Sequence, residues 1–193
     1  MNNDKKNYVG FEDLDAELAF TNFSGLKTKY NPEGCRNFCL VVPADVAIDL
    51  ANAGESPNAW GAPWKINLEK PYAVASDGTP ISYTLKVAVS YSNNKFNPVI
   101  KLITGAEYDS KNGRYFGGKT MFLTENNVGI LDGISASRIA VRIRPRFWED
   151  EKNDNAVNIK AYLERLDVIV EKDSFDDLYA EDYAPGDEAP FSI

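Results

Sequence analysis

The stretch Arg138-Ile139-Ala140-Val141-Arg142-Ile143-Arg144-Pro145-Arg146-Phe147-Trp148 has a period of two. Successive side chains of a β-strand point to opposite faces. One face therefore carries Ile139, Val141, Ile143, Pro145 and Phe147 and reads as core. The other carries Arg138, Arg142, Arg144, Arg146 and Trp148. A solvated sheet face accounts for one or two arginines, but four on one side of a strand, in an acidic chain, point to a polyanion. An acidic, Asn-rich turn at 149–155 leads into a return strand with Val157, Ile159, Ala161 and Leu163 on one side and Lys160 and Tyr162 on the other. After Glu164-Arg165 the apolar parity slips to Leu166, Val168 and Val170. Such a slip predicts a bulge, which bends a strand where a sheet curls into a small barrel.

Composition agrees with a mainly β protein of one domain. The 193 residues are 44% hydrophobic and include ten Tyr, ten Phe and three Trp, residue types that favour strands. No apolar run approaches the roughly 20 residues of a membrane span, and Met1 to Lys6 lacks the apolar segment of a signal peptide. A cytoplasmic protein is the expectation. The chain has no histidine and only two cysteines, Cys35 and Cys39. On one strand their Cα atoms stand about 13 Å apart, too far for a disulfide, so both read as reduced and buried. Without histidine, Ser-His-Asp and Cys-His catalysis and the usual zinc sites are excluded. No Walker-type phosphate loop or Gly-x-Gly-x-x-Gly stretch is present. The expectation is a protein that is not an enzyme and has no cofactor.

The net charge of −8 is not spread evenly. Residues 171–193 hold eight acids and one lysine, so the first 170 residues carry a net charge of only −1. The chain divides into a leader at 1–10 expected to be disordered, a folded body at 11–171 and an acidic tail at 172–193.

Taken in order, the body begins with a strand at 16–23, a Ser24-Gly25 turn and Leu26-Lys27-Thr28-Lys29-Tyr30 ahead of the turn Asn31-Pro32-Glu33-Gly34. Lys27, Lys29 and Tyr30 are candidate phosphate contacts near a hairpin tip. An apolar strand at 35–42 precedes a short helix carrying Val46, Ala47, Leu50 and Ala51 and stopped by Gly54. Residues 55–80 read as a long connection with one short strand at 64–68, in which Trp60 and Trp64 are either stacking platforms or plugs of the barrel, the plug being the preferred reading. The alternating run 81–91 and its neighbour 97–103 read as a hairpin around Ser92-Asn93-Asn94-Lys95. Next comes a long inserted loop, 104–119, with Tyr108, Lys111, Arg114, Tyr115, Phe116 and Lys119, rings and cations suited to stacking on splayed bases. A strand at 120–123 and a capped helix at 124–132 complete the approach to the arginine hairpin.

This order of elements, with a helix just before the penultimate strand, resembles an OB-fold-like five-stranded barrel with one or two short helices and a long inserted loop. The body resembles bacteriophage single-stranded DNA-binding proteins over about 20–170. The likeness lies in Asn22-Phe23-Ser24-Gly25, Arg36-Asn37-Phe38-Cys39, Val128-Gly129-Ile130-Leu131-Asp132, Ile143-Arg144-Pro145 and Val157 to Leu163. The tail is similar at Asp187-Glu188-Ala189-Pro190-Phe191 to the acidic Pro-Phe tip with which single-stranded DNA-binding proteins recruit replication and repair partners. In that family the phenylalanine comes last; here Ser192 and Ile193 follow it. The resemblance implies single-stranded DNA as partner and a sequence-independent coating role in phage replication or recombination, in the host cytoplasm if phage-encoded. It places partner docking at Asp187, Glu188, Pro190 and Phe191. The alternative is a phage virion or assembly protein that ignores nucleic acid. A DNA mimic would spread its acids over the folded body instead of gathering them at one end.

Overall fold

The computed structural model describes residues 9–10, 17–52, 62–91, 97–150 and 156–172. Its framework is β8 (Arg138–Asp150) paired antiparallel along its whole length with β9 (Ala156–Glu171). Arg142 faces Arg165, but Ile143 faces Leu163, so Glu164 is the extra residue. The parity slip in the sequence is thus a real bulge, and it gives β9 the bend that curls the sheet.

The long β9 organises everything else. On its edge away from β8, its first half pairs in parallel with β5 (Pro80–Val89), and its second half pairs in parallel with β6 (Val99–Asp109). β5 pairs antiparallel with β3 (Arg36–Pro43), and β3 with β2 (Glu17–Asn22). The resulting order β2-β3-β5-β9-β8, with one parallel junction between its third and fourth members, is that of an OB-type barrel, here left open between β2 and β8. Inside it lie Phe38, Leu40, Leu85, Ile139, Ile143, Ile159 and Leu166, each no more than 1% exposed.

Two short elements close the ends. α1 (Ala44–Ala51) follows β3 directly and buries Ala47. A 3-10 helix, Val128–Gly133, buries Val128 and Leu131. Asp132 fastens it to the turn after β2 by accepting the Phe23 and Ser24 N–H groups at 2.7 and 2.9 Å. Trp64, 2% exposed, plugs the core, the preferred of its two readings, and its backbone N–H donates to the Leu50 carbonyl at 3.0 Å. Trp60 lies outside the described residues.

Several expectations are corrected. The inserted 104–119 loop is a hairpin: β6 and β7 (Arg114–Leu123) pair in register through Tyr108↔Tyr115 and Asp109↔Arg114. Its glycines hid the alternation. Gly118 has φ of +79°, and a Cβ there would meet the Thr104 carbonyl oxygen at 2.8 Å. The Asp109 carboxylate closes the turn by accepting the Lys111 and Asn112 N–H groups at 2.9 and 3.3 Å. Strands 81–91 and 97–103 do not pair with each other, because both use β9 as partner, one beyond the other. The 124–132 helix shrinks to the 3-10 turn, whose backbone closes by Ile130 N–H donating to Asn127. The 64–68 strand is two isolated bridges, Trp64 to Ile159 and Ile66 to Leu85. From the expected leader, Val9–Gly10 pairs with β8 as β1, whereas 1–8 lie outside the described residues. A two-residue β4 (Ala73–Val74) pairs with β5. Cys35 is exposed and Cys39 partly so, not buried, because Cys35 lies in the loop before β3 and Cys39 on the outward side of that strand.

Candidate nucleic-acid interface

Register fixes what the outward face of the barrel presents. Directly opposed residues share a face. Arg146 opposes Lys160, Arg144 opposes Tyr162, Tyr162 lies beside Ala88, and Ala88 opposes Asn37. Lys86 opposes Cys39 on the same side. The inward partners of this row, Phe38, Val87 and Ala161, are at most 1% exposed. The sequence of β5 dictates this division by alternating Tyr83, Leu85, Val87 and Val89 with Ser82, Thr84, Lys86 and Ala88.

Of this row, Arg146, Lys160, Tyr162, Ala88, Asn37 and Lys86 form the floor of an open groove of about 1320 Å³. One wall is the 24–35 loop, which brings Tyr30 and Asn31; the other is the far end of the β8–β9 hairpin, which brings Phe147, Trp148, Val157 and Asn158. Five basic residues line it, Arg36, Lys65, Lys86, Arg146 and Lys160, and no acidic one among the described residues. Rings and cations alternate. Lys65 Nζ stands 5.1 Å from the Trp148 ring, and Arg146 and Lys160 flank the Tyr162 ring at 5.7 and 5.3 Å. Tyr30 is 81% exposed with Lys29 Nζ 5.6 Å away. Lys86 Nζ donates to Asn31 Oδ1 at 3.1 Å, and Asn37 Nδ2 to the same oxygen at 2.9 Å, pinning the loop to the floor. Arg36 is shared with Glu125, at 3.0 Å, and with the Tyr91 ring.

The arginine row of β8 is therefore divided. Arg146 and Trp148 enter the groove, whereas Arg144 pairs with Glu164 at 3.5 Å. Arg142 lies beyond the bulge opposite Arg165, which Asp167 holds at 2.6 Å. Arg138 borders a separate cavity at the seam between β2 and β8. Phe147, expected in the core, is 54% exposed, because the hairpin end projects past the barrel interior. Lys27 and Lys29 are exposed on the 24–35 loop. Tyr108, Arg114, Tyr115, Phe116 and Lys119 lie together on the β6–β7 hairpin, along the other half of β9 from the groove. Tyr108 and Tyr115 have ring centroids 5.0 Å apart. The Tyr115 hydroxyl donates to Glu171 Oε1, and that bond, then burial and the carboxylate charge, push the phenol up to about 12.

Sequence reasoning passed over Lys65, Lys86 and Arg36. The available signal was that Lys86 is the one charged residue in the alternating run 81–91. The Cys39 thiol, opposite Lys86 on the outward side of β3, has its pKa raised by burial, partly offset by the Lys86 ammonium. Among the described residues no group of three or more Cys, Asp or Glu could hold a metal ion, and no helix is long and apolar enough to cross a membrane.

An open OB-type barrel with a basic, ring-bearing groove over its second and third strands defines a nucleic-acid-binding module. The chain belongs to the family of putative phage single-stranded-DNA-binding domains, whose family model matches residues 4–189. No curated protein matches it. Among solved structures it is similar to a single-stranded DNA-binding protein from bacteriophage Enc34, with a TM-score of 0.45 at 12% identity over 96% of this chain and 88% of that one. The same phage protein in complex with single-stranded DNA gives 0.42 at 12% identity, covering 88% and 89%. The single-stranded DNA-binding protein gp2.5 of bacteriophage T7 gives 0.33 at 11% identity, covering 95% and 98%.

Proposed function

We propose that this protein coats single-stranded DNA without sequence preference inside the phage-infected cell, by laying the strand across the groove between the 24–35 loop and the end of the β8–β9 hairpin. The observation that carries the reading is a groove lined by five basic residues, by no acidic one among the described residues, and by accessible rings. Lys65, Lys86, Arg146 and Lys160 neutralise phosphates, while Trp148, Tyr162 and Tyr30 stack on bases. Every base has a π-face, so such binding tolerates any sequence. Lys27 and Lys29 contact the backbone at the loop side, and Tyr108, Arg114, Tyr115, Phe116 and Lys119 form a second, weaker contact zone on the β6–β7 hairpin. No bond is made or broken: the role is protection, not catalysis.

The test is fluorescence anisotropy with labelled dT oligomers and a duplex of equal length at several salt concentrations. Single strands are expected to bind more tightly, with log K falling linearly against log salt. Each phosphate contact contributes a slope of about −0.7, so the double variant Arg146→Ala/Lys160→Ala is expected to flatten the line by about 1.4. Equal affinity for duplex, or an unchanged slope, overturns the reading.

The acidic tail, whose residues 173–193 lie outside the described residues, supplies two further roles in this scheme. Tethered to the barrel at the end of β9, it competes with DNA for the groove's cations. Through Asp187, Glu188, Pro190 and Phe191 it recruits replication or recombination proteins. Removing 173–193 is expected to tighten binding to dT oligomers at low salt and to have little effect at about 1 M salt, where charges are screened within about 3 Å. Affinity unchanged at low salt would rule the competition out.

A further inference from the structure

Phe20 is the most irregular residue of the described fold. Its φ is +50°, the left-handed region, and no other non-glycine residue described has a positive φ. A bulky side chain is rarely found there, and such strain persists only where its surroundings impose it. Phe20 sits in a bulge of β2: Ala19 faces Cys39 and Asn22 faces Asn37, so Phe20 and Thr21 together oppose the single residue Phe38. An extra apolar residue there would find room in a core, yet Phe20 is 70% exposed. Its ring meets that of Tyr72 edge to face, with centroids 6.1 Å apart and an interplanar angle of 86°. Tyr72 comes from the segment along the opposite edge of β5, where its N–H donates to the Ser82 carbonyl at 2.8 Å.

The two rings reach toward each other from either side of the β3–β5 pair. The inward side of that pair is filled by Phe38, Leu40, Val42 and Leu85, none more than 1% exposed. Exposed rings can therefore meet only over its outward side. A cover there explains a second observation. Ala19, Val41 and Ser82 all have outward register positions, one on each strand, and each is only 8% exposed.

Register also connects this place to the groove. Lys86 on the groove floor opposes Cys39, Cys39 opposes Ala19, and Phe20 is the next residue. At about 4.8 Å per strand, Ala19 lies roughly 10 Å from Lys86, in the direction that crosses the strands. Arg138 borders the same seam cavity as Phe20.

Building on the groove reading above, we infer that Phe20, braced by Tyr72, is a base-stacking platform that extends the DNA track beyond the groove across β3 and onto β2, with Arg138 as the neighbouring phosphate contact. A strand long enough to pass Lys86 stacks one base on the exposed face of Phe20. The bulge and its strained backbone hold the ring out of the core for that purpose.

The experiment uses the full chain and labelled dT oligomers of two lengths, one that fills only the groove and one about twice as long. Phe20→Ala is expected to weaken binding of the longer oligomer about tenfold and leave the shorter one unchanged. Phe20→Trp keeps a ring and is expected to retain wild-type affinity. Phe20→Gly relaxes the left-handed backbone, so it is expected to melt at the same temperature as wild type or higher while binding the longer oligomer as weakly as Phe20→Ala. If wild type binds both oligomers and Phe20→Ala matches it on the longer one, this proposal is overturned and the groove reading stands. A Phe20→Trp variant as weak as Phe20→Ala also overturns it, because a platform needs only a ring. Wild type that ignores both oligomers overturns the groove reading and this one together.

Discussion

Replacing Trp148 and Tyr162 together by alanine is expected to weaken binding to a dT oligomer by about 2–6 kcal/mol, or about 1–3 kcal/mol per ring, with little change in thermal stability. Both rings stand in the proposed groove, and Trp148 is 44% exposed, so its loss leaves no cavity in the core. Each ring is also a post for cations. Lys65 lies over Trp148, and Arg146 and Lys160 flank Tyr162, so removing a ring loosens the cations as well as the stacked base. The ring-retaining pair Trp148→Phe/Tyr162→Phe is expected to recover most of the affinity, because Phe keeps a π-face. Anisotropy titrations at one fixed salt concentration measure both variants. A double alanine variant that binds like wild type would remove stacking from the mechanism and leave only charge.

The second large effect concerns stability. Trp64→Ala is expected to cost about 3–5 kcal/mol, the range for truncating a large buried aromatic. Trp64 is 2% exposed, belongs to the same hydrophobic cluster as Leu85, Ile143 and Ile159, and bridges in parallel to Ile159 on β9. Its backbone also ties this connection to α1 through the Leu50 carbonyl. In a chain of this length each kcal/mol moves the melting temperature by about 2–4 °C, so a drop of roughly 6–20 °C should appear in a circular-dichroism melt. Against a typical total stability of about 5–15 kcal/mol, such a loss also places part of the population in the unfolded state near physiological temperature. A melt shifted by less than about 3 °C would show that the barrel is not held by this plug.

These two tryptophans mark how far reading the chain in one dimension reached. Trp64 falls among prolines and glycines, where a loop and a core plug share one signature; its burial had to be argued, and the structure places it inside. Trp148 ends a strand whose alternation is unambiguous, so its outward position was legible. The 104–119 segment went the other way, because Gly105, Gly117 and Gly118 take left-handed backbone conformations and break the alternation that announces a strand. Phe20 gave no signal, since a bulge in β2 leaves no trace in the apolar pattern of so short a strand.

What the sequence by itself determined is local: the mainly β character, the two faces of the β8–β9 hairpin, the bulge at Glu164, the α1 helix and the separation of the acidic tail from a nearly neutral body. Each follows from side-chain period or charge count over adjacent residues. Only the tertiary structure decided which cations meet. Lys65, Lys86, Arg146 and Lys160 come from four separate segments, and they share a groove because β9 pairs in parallel with β5, a contact between residues more than seventy positions apart. The same closure turned Arg138 toward the seam and left Arg144 against Glu164, because a bulged and coiled sheet does not keep one strand's face flat.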